Sequence, residues 1–249
     1  MANTMLNAIQ HLISDLQGQS GYFQPGQGYR FSDNHSGQWS GSLRALLTTE
    51  TPALDTPLTE LNLLSTDFET TGFDPKQDKL LSIGAVAIEG QEIILQRSFE
   101  QVISVDTQLD PKNVCVHQIT DSEAARGAAI EMALDRLFLA LKGKVMLVHY
   151  HPMERSFLRL ACQSLYKVKL EVPMIDTLTM AIKWFKAKHI SYQAEDLTLA
   201  NLRLRFGLPS HFAHNALADA IATAELYLVL VSQLQSLQAE PLVLGDVLV

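Results

Sequence analysis

Leu61-Asn62-Leu63-Leu64-Ser65-Thr66-Asp67-Phe68-Glu69-Thr70-Thr71-Gly72 is an apolar run that carries two acids and stops at a glycine. Strand side chains alternate between faces, so Asp67 and Glu69 point to the same side. Two carboxylates side by side at low dielectric repel each other, and a fold gains no stability by placing them there. A divalent cation between them removes the objection. Hard oxygen ligands of this kind suit Mg²⁺ or Mn²⁺.

Outward from this strand the pattern is that of a mixed sheet. The polar turn Asp74-Pro75-Lys76-Gln77-Asp78 leads into a second strand, Leu80 to Ile88. Gly90 marks a turn into a third, Ile93 to about Val102, and three strands joined by short turns imply an antiparallel meander. Apolar spacing then predicts a helix over roughly 122–142, a buried strand from Val145 to His149, and a helix over 153–166. A brief strand at Met174-Ile175 follows, and then helices from about Thr177 to Lys186, Leu197 to Phe206 and Ala216 to Leu234. Strands first, then strands alternating with helices, give an α/β fold with a mixed sheet flanked by helices. Three regions are expected. Residues 1–60 form an extension (an amphipathic helix over 1–18, a Gly/Ser/Gln/Asn-rich linker, and a Pro-containing approach segment). Residues 61–236 form the main domain. The apolar tail, 237–249, is expected to pack on its own domain.

The bulk properties narrow the class. The 249 residues are 47% hydrophobic and 18% charged, as in a soluble globular protein. A net charge of −8 is not the footprint of a protein that coats long duplex nucleic acid, although it allows an enzyme that meets a few phosphates through metal ions. Cys115 and Cys162 form no CxxC pattern, which argues against a zinc knuckle or a disulfide framework and for two free thiols in a reducing cytoplasm. The first residues lack a basic start and carry Asp15, so they do not read as a signal peptide. No apolar run reads as a membrane span, and no membrane partner is expected.

Two further motifs accompany the first. His214-Asn215-Ala216-Leu217-Ala218-Asp219 places a histidine just before a helix and an acid in its first turns. His149-Tyr150-His151-Pro152-Met153-Glu154-Arg155-Ser156-Phe157-Leu158 follows the strand at Val145. Together with Asp67-Phe68-Glu69-Thr70-Thr71-Gly72, these stretches resemble the three motifs of the DnaQ-like, DEDDh-type 3′–5′ exonucleases. That family includes the exonuclease domain of the DNA polymerase III epsilon subunit. The resemblance covers about residues 61–232 and implies a ribonuclease H-like, five-stranded mixed sheet. It departs from the family in two places. Glu154 stands where relatives carry Asp, and in Val116-His117-Gln118-Ile119-Thr120 the residue Gln118 stands where glycine is common. Glutamate keeps the charge with one more methylene; alternatively Glu154 is an exposed first-turn acid favoured by the helix dipole.

The resemblance implies phosphodiester hydrolysis with two divalent cations, Mg²⁺ or Mn²⁺. Asp67, Glu69 and Asp219 would hold one ion, and the second would bridge through Asp67 with support from Glu154. His214 would take the proton from the attacking water, and the product would be a nucleoside 5′-monophosphate. Thr70, Thr71, Gly72 and Phe73 would meet the terminal nucleotide, with His117 and Ile119. The expected partner is a single-stranded 3′ end, with DNA favoured over RNA. Two other readings stand beside this one: a proofreading subunit that works on a polymerase, and a nucleic-acid-binding module with a decayed site. Asp176 reads as the cap of the next helix rather than a ligand. His149 and His151 alternate but have no third nitrogen or sulfur ligand nearby for zinc. Lys183, Lys186, Lys188 and His189 form a basic run that is either a solvated helix end or a contact to the substrate backbone. Residues 1–60 are open to covering a sheet edge or mediating dimerisation.

Overall fold

The computed structural model describes residues 2–15, 29–33, 39–105 and 119–249. Its centre is strand β2, Asn62–Thr70, with the antiparallel strands β3, Leu80–Glu89, and β4, Glu92–Val102, on one side. On the other side lie the parallel strands β5, Val145–Val148, and β7, Met174–Asp176, giving the order β4-β3-β2-β5-β7. This is the mixed five-stranded sheet expected from the resemblance.

Both faces of the sheet are covered, which is why β3 reads as a continuous apolar run and not as an alternating one. Alternation decides which residue meets which layer. Leu63, Val86, Val145, Leu147 and Ile175 join one core cluster; Leu64, Ile83, Ala85, Met146 and Val148 join the other. The first layer includes helices α1, Ala2–Asp15, α6, Thr177–Ala187, and α8, Ala216–Gln235. The second includes α2, Gly41–Leu47, α4, Ile130–Leu141, and α5, Pro152–Tyr166. Leu63, Ser65, Asp67 and Glu69 share the period-two register that faces α8, and the Ser65 hydroxyl donates to the Ala220 carbonyl at 2.7 Å.

α8 has the length and apolar composition of a membrane-crossing helix, which the sequence reading did not anticipate. Here it is a core helix, with Ala216, Ala220, Ala224, Leu226 and Tyr227 buried. Its first turn lies directly on β3. A Cβ placed on Gly84 would sit 2.1 Å from the Ala216 carbonyl carbon and 2.3 Å from the Leu217 nitrogen. Only a residue without a side chain permits that approach.

Two expectations need correction. The helix anticipated over 122–142 is two pieces, α3, Asp121–Ala125, and α4. Between them the chain leaves helical geometry to bond the end of β4, with Ala128 N–H donating to Val102 O at 2.9 Å and Ser104 N–H to Ala128 O at 2.8 Å. Two short strands went unread: β1, Arg30–Asp33, pairs antiparallel with β6, Val168–Glu171, although β1 falls in the stretch read as linker. Parts of residues 1–60 join the same core as the sheet. Ile9 and Leu12 of α1 and Leu58 are buried in the same cluster as β2 and α8, and Leu43 and Leu46 of α2 are buried in the other.

The tail folds back onto its own domain. Leu58 N–H donates to Leu242 O at 2.9 Å, Val249 N–H to Met174 O at 3.0 Å, and Leu244 and Val247 are buried. Leu248 forms an antiparallel bridge with Ile175 beside β7, and Lys183 of the basic run donates to the Asp246 carbonyl. Cys115 lies outside the described residues; Cys162 is a free, buried thiol that burial pushes up to about 12.

Gly84→Ala is expected to destabilise the protein by about 1–3 kcal/mol in urea unfolding, because the added methyl overlaps the α8 backbone. Gly41→Ala, where a Cβ meets nothing within 4 Å, is expected to cost nothing or to stabilise. Equal effects at the two positions would contradict the close seating of α8.

Candidate active site

Three carboxylates converge at the end of β2. Oxygens of Asp67, Glu69 and Asp219 lie within 4.8 Å of one another. The first two come from one strand face and the third from the first turn of α8. That helix starts where it does because Asn215 caps it: the side-chain oxygen accepts the Ala218 N–H at 2.9 Å. The backbone ahead of the cap then folds over Asp219. His214 N–H donates to Asp219 Oδ2 at 2.8 Å, and the ring Nε2 of His211 lies 2.7 Å from Asp219 Oδ1. His214 itself sits at φ 66 with its side chain exposed. The left-handed conformation costs a non-glycine residue about 1 kcal/mol, and here the bond to Asp219 holds it. Upstream, the loop is anchored by Arg203 of helix α7, Leu199–Arg205. This 2% exposed guanidinium donates to Pro209 O and Ala222 O and pairs with Glu225.

Without a counter-charge this arrangement is electrostatically unfavourable. Burial raises the Asp67 carboxyl well above the usual range, and the charges of Asp219, Glu69, Glu154 and Glu100 add to the effect. Glu69 is raised to about 8, by burial first and then by Asp219 and Glu100.

Glu154, in the first turn of α5, is 2% exposed, so it is not a solvated first-turn acid. Its Oε2 is buried with no hydrogen-bond partner among the described residues. Burial and then the charge of Asp176 push its carboxyl up, against the pull of its own N–H. It stands outside the trio whose oxygens lie within 4.8 Å, yet it acts electrostatically on Asp67. A set of hard oxygen donors with no sulfur, one of them an orphaned buried carboxylate oxygen, fits a hard divalent cation.

Asp176 is wholly buried and bonded on all sides. It caps α6 through Leu178 N–H at 2.9 Å, and it accepts Tyr150 N–H at 2.9 Å, His151 N–H at 3.1 Å and the His151 ring Nδ1 at 2.7 Å. Burial opposes its ionisation. The bond and charge of His151, aided by His149 and Tyr150 N–H, nevertheless bring it down to about 2. Both nitrogens of His149 are also committed, to the Thr177 hydroxyl at 2.8 Å and the Leu197 carbonyl at 3.1 Å. Burial lowers its pKa, and with both ring nitrogens committed His149 is not disposed as a zinc ligand.

The turn after β2 is tightly self-bonded. The Thr70 hydroxyl donates to Gly72 O at 2.7 Å, Thr71 N–H donates to Lys79 O at 3.0 Å, and the Thr71 hydroxyl bonds Asp78 at 3.1 Å. The Thr71 amide is therefore already used, contrary to a simple picture of that backbone open to a nucleotide. A Cβ on Gly72 would lie 2.4 Å from the Asp78 carboxylate, which would have to move aside. Phe73 is half-buried. Ile119 is buried against Leu81 and Ala124, which leaves little of its side chain to offer a ligand, and His117 lies outside the described residues.

Two residues near the site were not anticipated. His211 had a signal in the spacing His211-x-x-His214. Glu100 had none: on an edge strand an acid reads as solvated, and only the register, Gly84 opposite Glu100, brings it beside the site.

The family model described as Exonuclease matches residues 64–227 of the chain. The PolC-type DNA polymerase III of Thermotoga maritima is 29% identical over 171 residues, 69% of this chain but 12% of that protein. A DNA polymerase III subunit epsilon-like protein of Rhodobacter capsulatus is 28% identical over 75% of this chain and 26% of its own length. The chain thus spans about a quarter or less of these two relatives. For the DNA polymerase III subunit epsilon of Treponema pallidum the identity is 28%, over 67% of this chain and 74% of that protein. Among solved structures, the nuclease domain of 3′hExo, a DEDDh family member bound to rAMP, shares the fold with a TM-score of 0.60 at 16% identity. It covers 73% of this chain and 97% of that domain. Escherichia coli Exonuclease I in complex with a dT13 oligonucleotide gives a TM-score of 0.59 at 17% identity, over 71% of this chain and 42% of that one. The match runs from the strand that carries Asp67 and Glu69 to the helix that carries Asp219, and the chain belongs to the exonuclease family.

Proposed function

We propose that this chain hydrolyses phosphodiester bonds from the 3′ end of single-stranded nucleic acid, DNA ahead of RNA, and releases nucleoside 5′-monophosphates. The observation that carries the reading is the meeting of Asp67, Glu69 and Asp219 within 4.8 Å, in a chain of the exonuclease family. Asp67, Glu69 and Asp219 would hold one divalent cation, and Glu154 with Asp67 a second, Mg²⁺ or Mn²⁺ in both positions. A pair of bound cations supplies Lewis-acid stabilisation of the attacking and leaving oxygens of an in-line displacement.

The remaining work falls to the chain's own groups. A ring nitrogen of His214 takes the proton of the attacking water, a task suited to an imidazole near neutral pH. Its exposed ring on the loop before α8 has room to turn toward the carboxylates, while its amide stays on Asp219. His211 orients Asp219 from the other oxygen. Phe73 offers a ring to the terminal base, a contact that tolerates any sequence. Asp176, through the amides of Tyr150 and His151, fixes the entry to the helix that carries Glu154. A second reading, a proofreading subunit that works on a polymerase, is favoured by the epsilon relative, which matches this chain over 74% of its own length.

The deciding experiment incubates the purified chain with 5′-labelled single strands in Mg²⁺, in Mn²⁺ or in chelator. Stepwise shortening from the 3′ end is expected with either metal and not with chelator, and it should vanish in Asp219→Asn. Shortening that persists in that variant would mark a contaminant. Glu154→Gln should still fold and lose about 10–100-fold in activity or metal affinity; full activity would remove Glu154 from the site.

Stability in chelator should depend on pH with a definite sign. Glu69 is raised from 4.5 to about 8, so across that window the folded protein holds a proton that the unfolded chain has released. Asp67 shifts in the same direction. Metal-free stability therefore falls as pH rises through the window, and Asp67→Asn should flatten the slope. Melting temperatures in EDTA that rise over this range would contradict the assignment.

A further inference from the structure

Glu100 belongs to none of the ligand sets above, yet it is built into the site. It lies on β4 opposite Gly84, the position on which α8 is seated. Asn215 Nδ2 donates to both of its carboxylate oxygens, at 3.1 and 3.0 Å, and the Ser82 hydroxyl donates to it at 3.2 Å. Ser82 in turn is the register partner of Glu69. One Asn215 side chain thus joins two elements, with its oxygen capping α8 and its amide nitrogen on β4.

A carboxylate at position 100 forces this orientation, since it only accepts hydrogen bonds and must face the NH₂ end of the amide. A neutral glutamine could satisfy Asn215 without adding a negative charge beside three others. For folding alone the charge is a disadvantage, since like charges close together repel. It becomes useful once a cation has to be attracted and Asp219 has to be held at the right place.

We propose that Glu100 is a positioning residue of the cation site, clamping Asn215 and with it the first turn of α8 so that Asp219 meets Asp67 and Glu69, and strengthening by its charge the pull on the cation. This inference rests on the metal-dependent reading given above.

The test measures Mn²⁺ binding to the intact chain by titration calorimetry, with melting temperature in EDTA as a readout independent of activity. Glu100→Gln is expected to weaken Mn²⁺ binding about ten-fold while the metal-free melting temperature stays level or rises, in line with the usual effect of residues that support metal ligands. Asn215→Asp keeps a competent helix cap but sets a carboxylate against Glu100, so it should lower the metal-free melting temperature. The double variant Glu100→Gln/Asn215→Asp should recover it. Mn²⁺ affinity within about two-fold of the parent in Glu100→Gln, or no recovery in the double variant, would overturn the clamp. Asp219→Asn separates the two levels. If that variant binds Mn²⁺ as the parent does, the cation site itself is wrong. If it loses binding while Glu100→Gln does not, only the role of Glu100 fails.

Discussion

The structure depends on one close contact, the seating of the first turn of α8 on β3 at Gly84. With no side chain at that position, the backbone of Ala216 and Leu217 comes near enough for Asp219 to reach Asp67 and Glu69 on the neighbouring strand. Small residues continue the fit, since Ala220 and Ala224 are buried along the same helix, and the Ser65 hydroxyl ties Ala220 to β2. Packing must hold the helix there because the electrostatics work against it. Burial raises the cost of ionising Asp67 and Glu69, and the charge of Asp219 adds to it at both. Large apolar layers on both faces of the sheet supply the stability that the site consumes.

Around the trio the polar groups divide into two kinds. Asp176 has a full set of partners and remains ionised, so it acts as a rigid post for the peptide that enters α5. Glu154, in the first turn of that helix, is also buried, and one of its oxygens has no hydrogen-bond partner among the described residues. The loop before α8 shows the same economy. Arg203 is committed to Pro209, Ala222 and Glu225, while His211 and the His214 amide are committed to Asp219. The His214 ring alone of these groups is turned to solvent.

Much of this could be read along the chain, because it was written in local patterns. Period-two alternation placed Asp67 and Glu69 on one face, turn residues bounded the first three strands, and the spacing from His214 to Asp219 set an acid one turn into a helix. Asp176 read as a cap because a cap is local. Other features depended on distant partners. β1 and β6 are four residues each and pair across more than a hundred positions of chain, so neither carries a signal by itself. The helix over 122–142 broke at Gly127-Ala128 because that backbone had β4 to bond, a partner invisible from the helical periodicity around it. The reach of α1 and α2 into the same core as the sheet had the same origin.

The sequence alone determined the class of fold, the identities of the charged groups and the strand face on which two of them sit, since these follow from residue type and short-range geometry. Tertiary structure decided which groups meet. It buried Glu154 rather than leaving it in solvent, and it set His211 rather than the His214 ring on Asp219. It also brought Glu100 from an edge strand to the cap of α8. Those outcomes depend on register and on how closely a helix can approach a sheet. Both are fixed by contacts between residues far apart in the chain, which no local pattern encodes.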